Sequence, residues 1–231
     1  MARLPAGVRA VAFDLDGTLV DSAPDIAAAA NATLDSLGMA RVPEARVALA
    51  IGDGVDMLIE RTLTESAGSA PAPDRLAAGI ARFREEYAKR AWVASRLYPG
   101  VAEGLDALRA RGLPLVCVTN KASRFTGEVL ERAGLASRFD LVCCADTPEQ
   151  RKPRPDLLLH ACAKLRVAPR EMLFVGDSGI DVAAARAAGC PVVLVDYGYT
   201  RGRPASEAGA DAVIRSLLDL ASASCTDSGG G

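Results

Sequence analysis

Phe13-Asp14-Leu15-Asp16-Gly17-Thr18-Leu19-Val20-Asp21-Ser22 is the stretch on which the reading of this chain turns. It follows an apolar run over residues 8–13, which reads as a buried strand. Side chains two apart on extended backbone share a side, so Asp14 and Asp16 point the same way. Gly17 then lets the chain turn sharply. Two carboxylates this close repel unless a cation or a shared proton intervenes. An isolated Asp-x-Asp is as readily a solvated strand end with a helix-capping aspartate, so its meaning depends on the rest of the chain.

Outward from this strand, short apolar runs at 113–118, 139–143, 172–175 and 191–195, with a weaker one at 211–214, read as further buried parallel strands. Helical stretches over 100–111, 123–133, 155–165 and 179–188 lie between them. This alternation predicts an α/β fold, a doubly wound, mainly parallel, Rossmann-like sheet. Residues 21–95 interrupt it. They hold no good strand, are rich in Ala, Arg, Glu and Leu, and read as helices near 23–37, 43–50, 54–66 and 73–93, with a linker over 66–73. The expected organisation is a discontinuous catalytic core, 1–20 and 96–221, an inserted all-helical cap, 21–95, and a disordered tail, 222–231.

Three more strand ends carry polar groups. Val118-Thr119-Asn120-Lys121 offers a hydroxyl and a chain turn whose amides can hold a phosphate oxygen. Arg151-Lys152-Pro153-Arg154-Pro155 restrains the backbone at Lys152 and so helps aim its charge. Val175-Gly176-Asp177-Ser178-Gly179-Ile180-Asp181 adds two carboxylates where a helix begins. Each is weak alone: a common strand-to-helix connection, a solvated loop, a helix cap. Together they bring four carboxylates, an ammonium and a hydroxyl to one sheet edge, where ligands of open α/β sheets bind. Oxygen ligands of this kind suit Mg²⁺, and Lys152 with Mg²⁺ would neutralise a phosphoryl group that a carboxylate attacks in line.

Composition narrows the chemistry. Half of the 231 residues are hydrophobic, a quarter are charged and the net charge is −2. No basic block calls for nucleic acid or a membrane surface, and no run approaches the roughly 18 apolar residues of a membrane span. The partner expected is a small-molecule phosphate. The first seven residues lead at once into the opening strand without a signal-peptide pattern, and the expected location is cytoplasmic. Six cysteines without a Cys-x-x-Cys pair read as small hydrophobes in a reducing compartment. His160 is the single histidine and falls within a helix, which excludes histidine triads and multi-histidine metal sites.

The four strand-end motifs resemble those of the haloacid dehalogenase superfamily over about residues 8–220. Further likeness to its phosphoglycolate phosphatase branch lies in Ile51-Gly52-Asp53-Gly54-Val55, Leu58-Ile59-Glu60-Arg61, Asn120-Lys121, the run from Met172 to Asp177, and Tyr197-Gly198-Tyr199. The resemblance implies Asp14 as a nucleophile that forms an aspartyl-phosphate and Asp16 as general acid, then base. It implies Mg²⁺ on Asp14, Asp177 and the carbonyl of Asp16, with Asp181 orienting a metal-bound water or lying just behind the ligands. Thr119 and the amide of Asn120 would hold phosphoryl oxygens, and Lys152 would restrain Asp14. The inserted helices match the superfamily's helical cap. In it the turn Gly52-Asp53-Gly54 could receive an anionic group, Arg61 could reach a substrate carboxylate or make a cap-surface salt bridge, and Lys121 could face substrate. Tyr87 and Trp92 read as cap packing. The implied activity is hydrolysis of 2-phosphoglycolate. Alternatives that share the motifs are a phosphatase for another small phosphate, such as N-acetylmuramate 6-phosphate or another sugar phosphate, a pyrophosphatase, and a phosphomutase. A dehalogenase does not need Asp16. A receiver-like phospho-acceptor needs neither Asp16 nor a 75-residue insert.

Overall fold

In chain order the elements are β1 (Ala10–Phe13), β2 (Val20–Asp21), α1 (Ala23–Ser36), α2 (Glu44–Ala48), α3 (Val55–Ala67), α4 (Pro73–Ala88) and β3 (Arg96–Leu97). There follow α5 (Val101–Ala110), β4 (Leu115–Thr119), α6 (Ser123–Arg132), β5 (Leu141–Cys144), α7 (Asp156–Leu165), β6 (Met172–Gly176), α8 (Gly179–Ala188), β7 (Val192–Val195), β8 (Ala212–Ile214) and α9 (Leu218–Ala221). This computed structural model describes residues 4–221, so the expected tail at 222–231, with Cys225, lies outside the described residues.

Six strands form one parallel sheet in the order β5-β4-β1-β6-β7-β8. β1 lies between β4 and β6, with Phe13 opposite Cys117 on one side and Val175 on the other. The strand order reverses there, which opens a crevice at the carboxyl ends of these three strands. β1 is buried on both faces, as its unbroken apolar run requires. Val11 and Phe13 join Leu105, Leu108 and Val129 on one face, and Ala10 and Ala12 join Leu158, Ala161 and Ala185 on the other. Each large side chain so buried contributes roughly 1.5–3 kcal/mol, which sets the strand's register and hence the direction of Asp14.

The inserted helices leave and rejoin the core through a feature the sequence reading did not anticipate. β2 and β3 pair antiparallel, Val20 with Leu97 and Asp21 with Arg96, and tie the two connections together. Strands of two residues carry no readable period. The last inserted helix also stops at Ala88, short of the expected 93. Buried Asp25 accepts the amides of Val93, Ala94 and Ser95 at 3.0, 2.8 and 2.8 Å, and these bonds draw the chain out of helix. Within the insert, Gly79 of α4 lets that helix approach Ile59 and Leu63 of α3. Phe83 and Tyr87 of α4 are buried, and Tyr87 packs edge-on against Phe125 of α6, which joins the insert to the core. Among the described residues no helix is long and apolar enough to cross a membrane. The five described cysteines are free thiols, four of them buried.

Candidate active site

Asp14 immediately follows β1, and its amide donates to the carbonyl of Val175 at 2.9 Å, so the strand pairing continues through the residue. Its Oδ1 accepts from the amide of Leu15 and lies 2.8 Å from Lys152 Nζ. Lys152 also meets Asp181 Oδ1 at 2.7 Å, and its ammonium lies 5.2 Å from the Phe174 ring centre. Oδ2 of Asp181 accepts from the amides of Asp177 and Ser178 and from the Ser178 hydroxyl at the start of α8. Asp177 accepts from the Tyr199 amide at 2.6 Å and from Thr18 Oγ1 at 3.4 Å. Gly17, at φ 87°, lies against the Asp177 carboxylate where no Cβ has room.

Asp14, Asp177 and Asp181 are all buried, with oxygens within 4.8 Å of one another. Burial raises the pKa of Asp14 to about 7, against the opposing charge of Lys152 and with the help of Asp181 and Asp16. Burial, then the charges of Asp181 and Asp14, also hold Asp177 well above the usual carboxylate range. One ammonium does not neutralise three such carboxylates. The surplus of hard oxygen donors fits a divalent cation, and binding one would return the group to its ionised form.

Asp16 projects toward the inserted helices. Ser22 Oγ donates to its Oδ1 at 2.6 Å, and Lys121 Nζ lies 2.8 Å from both of its oxygens. Burial alone would lower the Lys121 pKa, but Asp16 more than reverses this and the ammonium keeps its proton. Thr119 is buried at the end of β4 and its hydroxyl accepts from the Lys121 amide. The Asn120 side chain is a tie. It exchanges hydrogen bonds with the backbone of Lys152 and donates to the carbonyl of Gly52 at 2.8 Å, fastening the insert to the core. These groups face a cavity of about 50 Å³ that Asp14, Asp16, Gly52, Gly54, Thr119, Asn120 and Lys121 help to line.

Two expected substrate contacts lie elsewhere. Arg61 pairs with Asp53, and Asp53 is paired again with Arg201 at 2.6 Å. Neither Arg61 nor Asp53 lines the cavity, and Arg61 borders a separate groove on the insert beside Leu49 and Met57. Of the two readings open for Arg61, the structure displays the salt bridge. The two cations also take the charge of Asp53 away from the site. Arg151, in the segment open to reading as a solvated loop, crosses to the insert, donating to Asp56 at 2.8 Å and lying over Gly54. Ser22 and Tyr87 were not expected at the site. Tyr87 borders the cavity rather than serving only as packing. The Asp-Ser pair closing the first motif was a signal for Ser22, whereas a lone tyrosine in an amphipathic helix carried none. Tyr197-Gly198-Tyr199 also gains a physical role. Tyr199 Oη accepts from the amides of Ser22 and Ala23 and donates to Asp21, while Tyr197 donates to the carbonyl of Thr18, so this loop secures the connection into the insert.

Comparison with known proteins agrees with this geometry. A family model for haloacid dehalogenase-like hydrolases matches residues 8–189. The chain is 45% identical to a phosphoglycolate phosphatase of Thiobacillus denitrificans over 96% of its own length and 97% of the relative's. It is 46% identical to one of Nitrosospira multiformis over 93% and 95%. A crystal structure of a predicted phosphoglycolate phosphatase from Haemophilus somnus superposes with a TM-score of 0.88 at 33% identity, covering 93% of this chain and 96% of that one. On the family match over residues 8–189, these relatives and the shared fold, the chain belongs to the haloacid dehalogenase-like hydrolase family.

Proposed function

We propose that this chain is a Mg²⁺-dependent phosphatase that hydrolyses 2-phosphoglycolate to glycolate and phosphate through a phosphorylated Asp14. The observation that carries the reading is the meeting of Asp14, Asp16, Thr119, Asn120 and Lys121 around one cavity of about 50 Å³. That room suits a leaving group of a few atoms rather than a sugar ring, since pockets for drug-sized ligands hold about 300–1,000 Å³. The names of the relatives from Thiobacillus and Nitrosospira support the same substrate.

Leu15 and Lys152 orient the Asp14 carboxylate before substrate arrives. Asp14 attacks phosphorus in line, and the glycolate oxygen leaves as Asp16 gives it a proton. In the second half Asp16 takes a proton from water, whose oxygen attacks the phosphorus and releases phosphate and the Asp14 carboxylate. The pairing of Asp16 with Lys121 corresponds to the ionised, base form of Asp16. The acid step begins once Lys121 yields and Asp16 carries a proton. Thr119 and the Asn120 amide receive phosphoryl oxygens, and Lys152 offsets the charge on Asp14. Asp14, Asp177 and the Asp16 carbonyl would hold Mg²⁺, with Asp181 behind them. When bound, the ion stabilises the charge that develops on the phosphoryl oxygens.

Residues 21–95 act as a lid whose closed position is held by Asn120 on Gly52, Arg151 on Asp56 and Arg201 on Asp53. Such a lid excludes water and selects the leaving group. A cytoplasmic setting belongs to the same proposal. The test compares kcat/KM with Mg²⁺ for 2-phosphoglycolate, 3-phosphoglycerate, glucose 6-phosphate, N-acetylmuramate 6-phosphate and pyrophosphate. Preference for any of the last four by about tenfold or more would reject the substrate while leaving the Asp14 chemistry standing.

A further inference from the structure

Phosphoryl transfer leaves a pair of cavity groups whose hydrogen bonding is incomplete. Tyr87 comes from the inserted helix α4, is 2% exposed, and borders the cavity. Its ring is stacked on Phe83 at 5.6 Å and meets Phe125 edge-on at 5.1 Å, so it has no freedom to turn away. Its hydroxyl proton has no acceptor among the described residues, because the neighbour that reaches its oxygen, Lys121, is itself a donor. A buried hydroxyl proton without an acceptor is destabilising, a penalty removed when a ligand supplies the acceptor. Beside it, Lys121 Nζ lies 4.9 Å from the Tyr87 ring centre. An ammonium has three donors; two meet Asp16 and the third faces the Tyr87 oxygen, so the pair presents a positive charge and an unplaced hydroxyl proton side by side.

We propose that Tyr87 and Lys121 form the receptor for the substrate's carboxylate, and that Tyr87 sets a preference for phosphates bearing an acid group on the adjoining carbon. This deepens the proposed hydrolysis of 2-phosphoglycolate and rests on it. Among the described residues Lys121 is the only cationic side chain lining the cavity, whose wall away from the phosphoryl end is apolar, with Ile26, Val55, Leu58 and Phe83. In such surroundings a carboxylate needs a charged partner and a neutral donor close together. The other place that could receive it, the start of α3, is covered by Arg151 over Gly54 and has Asp56 in its first turn. Burial raises the Tyr87 pKa above its ordinary value and keeps the hydroxyl as a donor. Because Tyr87 belongs to the insert and Lys121 to the core, the receptor is complete only when the insert is closed, which joins recognition of the acid group to exclusion of water.

The test uses the full chain with Mg²⁺ and two substrates of nearly equal size, 2-phosphoglycolate and 2-hydroxyethyl phosphate, which lacks the carboxylate. Tyr87→Phe keeps the ring and removes only the hydroxyl. The expected result is a loss of about 10- to 100-fold in kcat/KM for 2-phosphoglycolate, the range for a hydrogen bond to a charged group, carried mainly by KM, with little change for 2-hydroxyethyl phosphate. Equal losses on both substrates, or no loss on either, would overturn the receptor and leave the hydrolysis reading intact. A wild-type enzyme that does not favour 2-phosphoglycolate would overturn that reading and the receptor with it. Calorimetric binding of 3-phosphonopropanoate and propylphosphonate gives a measurement independent of turnover. Tyr87→Phe should erase most of the advantage of the carboxylate-bearing phosphonate, and an advantage retained in full would overturn the receptor.

Discussion

Replacing Lys152 with methionine removes one charge, together with its place over the Phe174 ring, and keeps an unbranched apolar stem. The ammonium bridges Asp14 and Asp181 at 2.8 and 2.7 Å and is itself 3% exposed. Burial pulls its pKa down, but the two carboxylates more than compensate and hold it above the ordinary lysine value. Removing one member of a buried charge pair costs about 3–5 kcal/mol, because the partner stays buried and uncompensated. The metal-free variant should lose that much stability in urea unfolding at neutral pH, with the denaturant slope unchanged. The loss should depend on pH. Asp14 has a folded pKa of about 7 against an ordinary 3.8, so between these values the folded protein binds a proton that the unfolded chain does not. Its contribution to stability is therefore complete below 3.8 and is lost as pH rises through 7. Without the ammonium the Asp14 pKa moves higher still, so the deficit of the variant shrinks in mild acid and grows in base. Turnover with Mg²⁺ should fall on the order of 10²- to 10³-fold, the effect of removing one preorganised electrostatic group, whereas Arg151→Ala, a part-exposed pair with Asp56, should change kcat/KM only a few-fold. A folded Lys152→Met enzyme within about fivefold of wild type, or equal effects from the two changes, would refute the assignment of Lys152 as the charge that serves Asp14.

Asp14→Asn should reduce phosphate release to background while the melting curve stays cooperative; wild-type turnover in the folded variant would remove the covalent mechanism. Chelation with EDTA should abolish activity and Mg²⁺ restore it, while Ca²⁺ should inhibit because its larger, looser shell disturbs in-line geometry; full activity after exhaustive chelation would contradict the acidic cluster as a metal site. Tyr199→Phe should cost about 1–3 kcal/mol by leaving the Ser22 and Ala23 amides without their acceptor. This is read as a fall in Tm of about 2–4 °C per kcal/mol, and an unchanged Tm would mean the loop does not secure the insert.

The sheet and its acidic edge were legible in the sequence because parallel strands announce themselves as apolar runs and because β1 aims Asp14 by its own register. Asp16 lies beyond the end of β1, past a bend at Leu15, so the strand period does not reach it; the alternation of strand and helix indicated where Thr119, Lys152 and Asp177 fall. What the chain order could not carry was which insert residue meets which core residue. Arg61 was open to a substrate contact or a salt bridge and is paired with Asp53 beside another groove, while Arg151, in a segment open to reading as a solvated loop, reaches across to Asp56. Tyr87 read as packing, and only its placement against Phe125 and Lys121 brings it to the cavity wall. The two-residue ladder between β2 and β3 and the arrest of α4 by Asp25 likewise arise between residues far apart in the chain, Val20 with Leu97 and Asp25 with Ser95. Periodicity along one element specifies the direction of its own side chains. The partners of those side chains across the cleft depend on how the insert docks, a sum of many long-range contacts that no local pattern records.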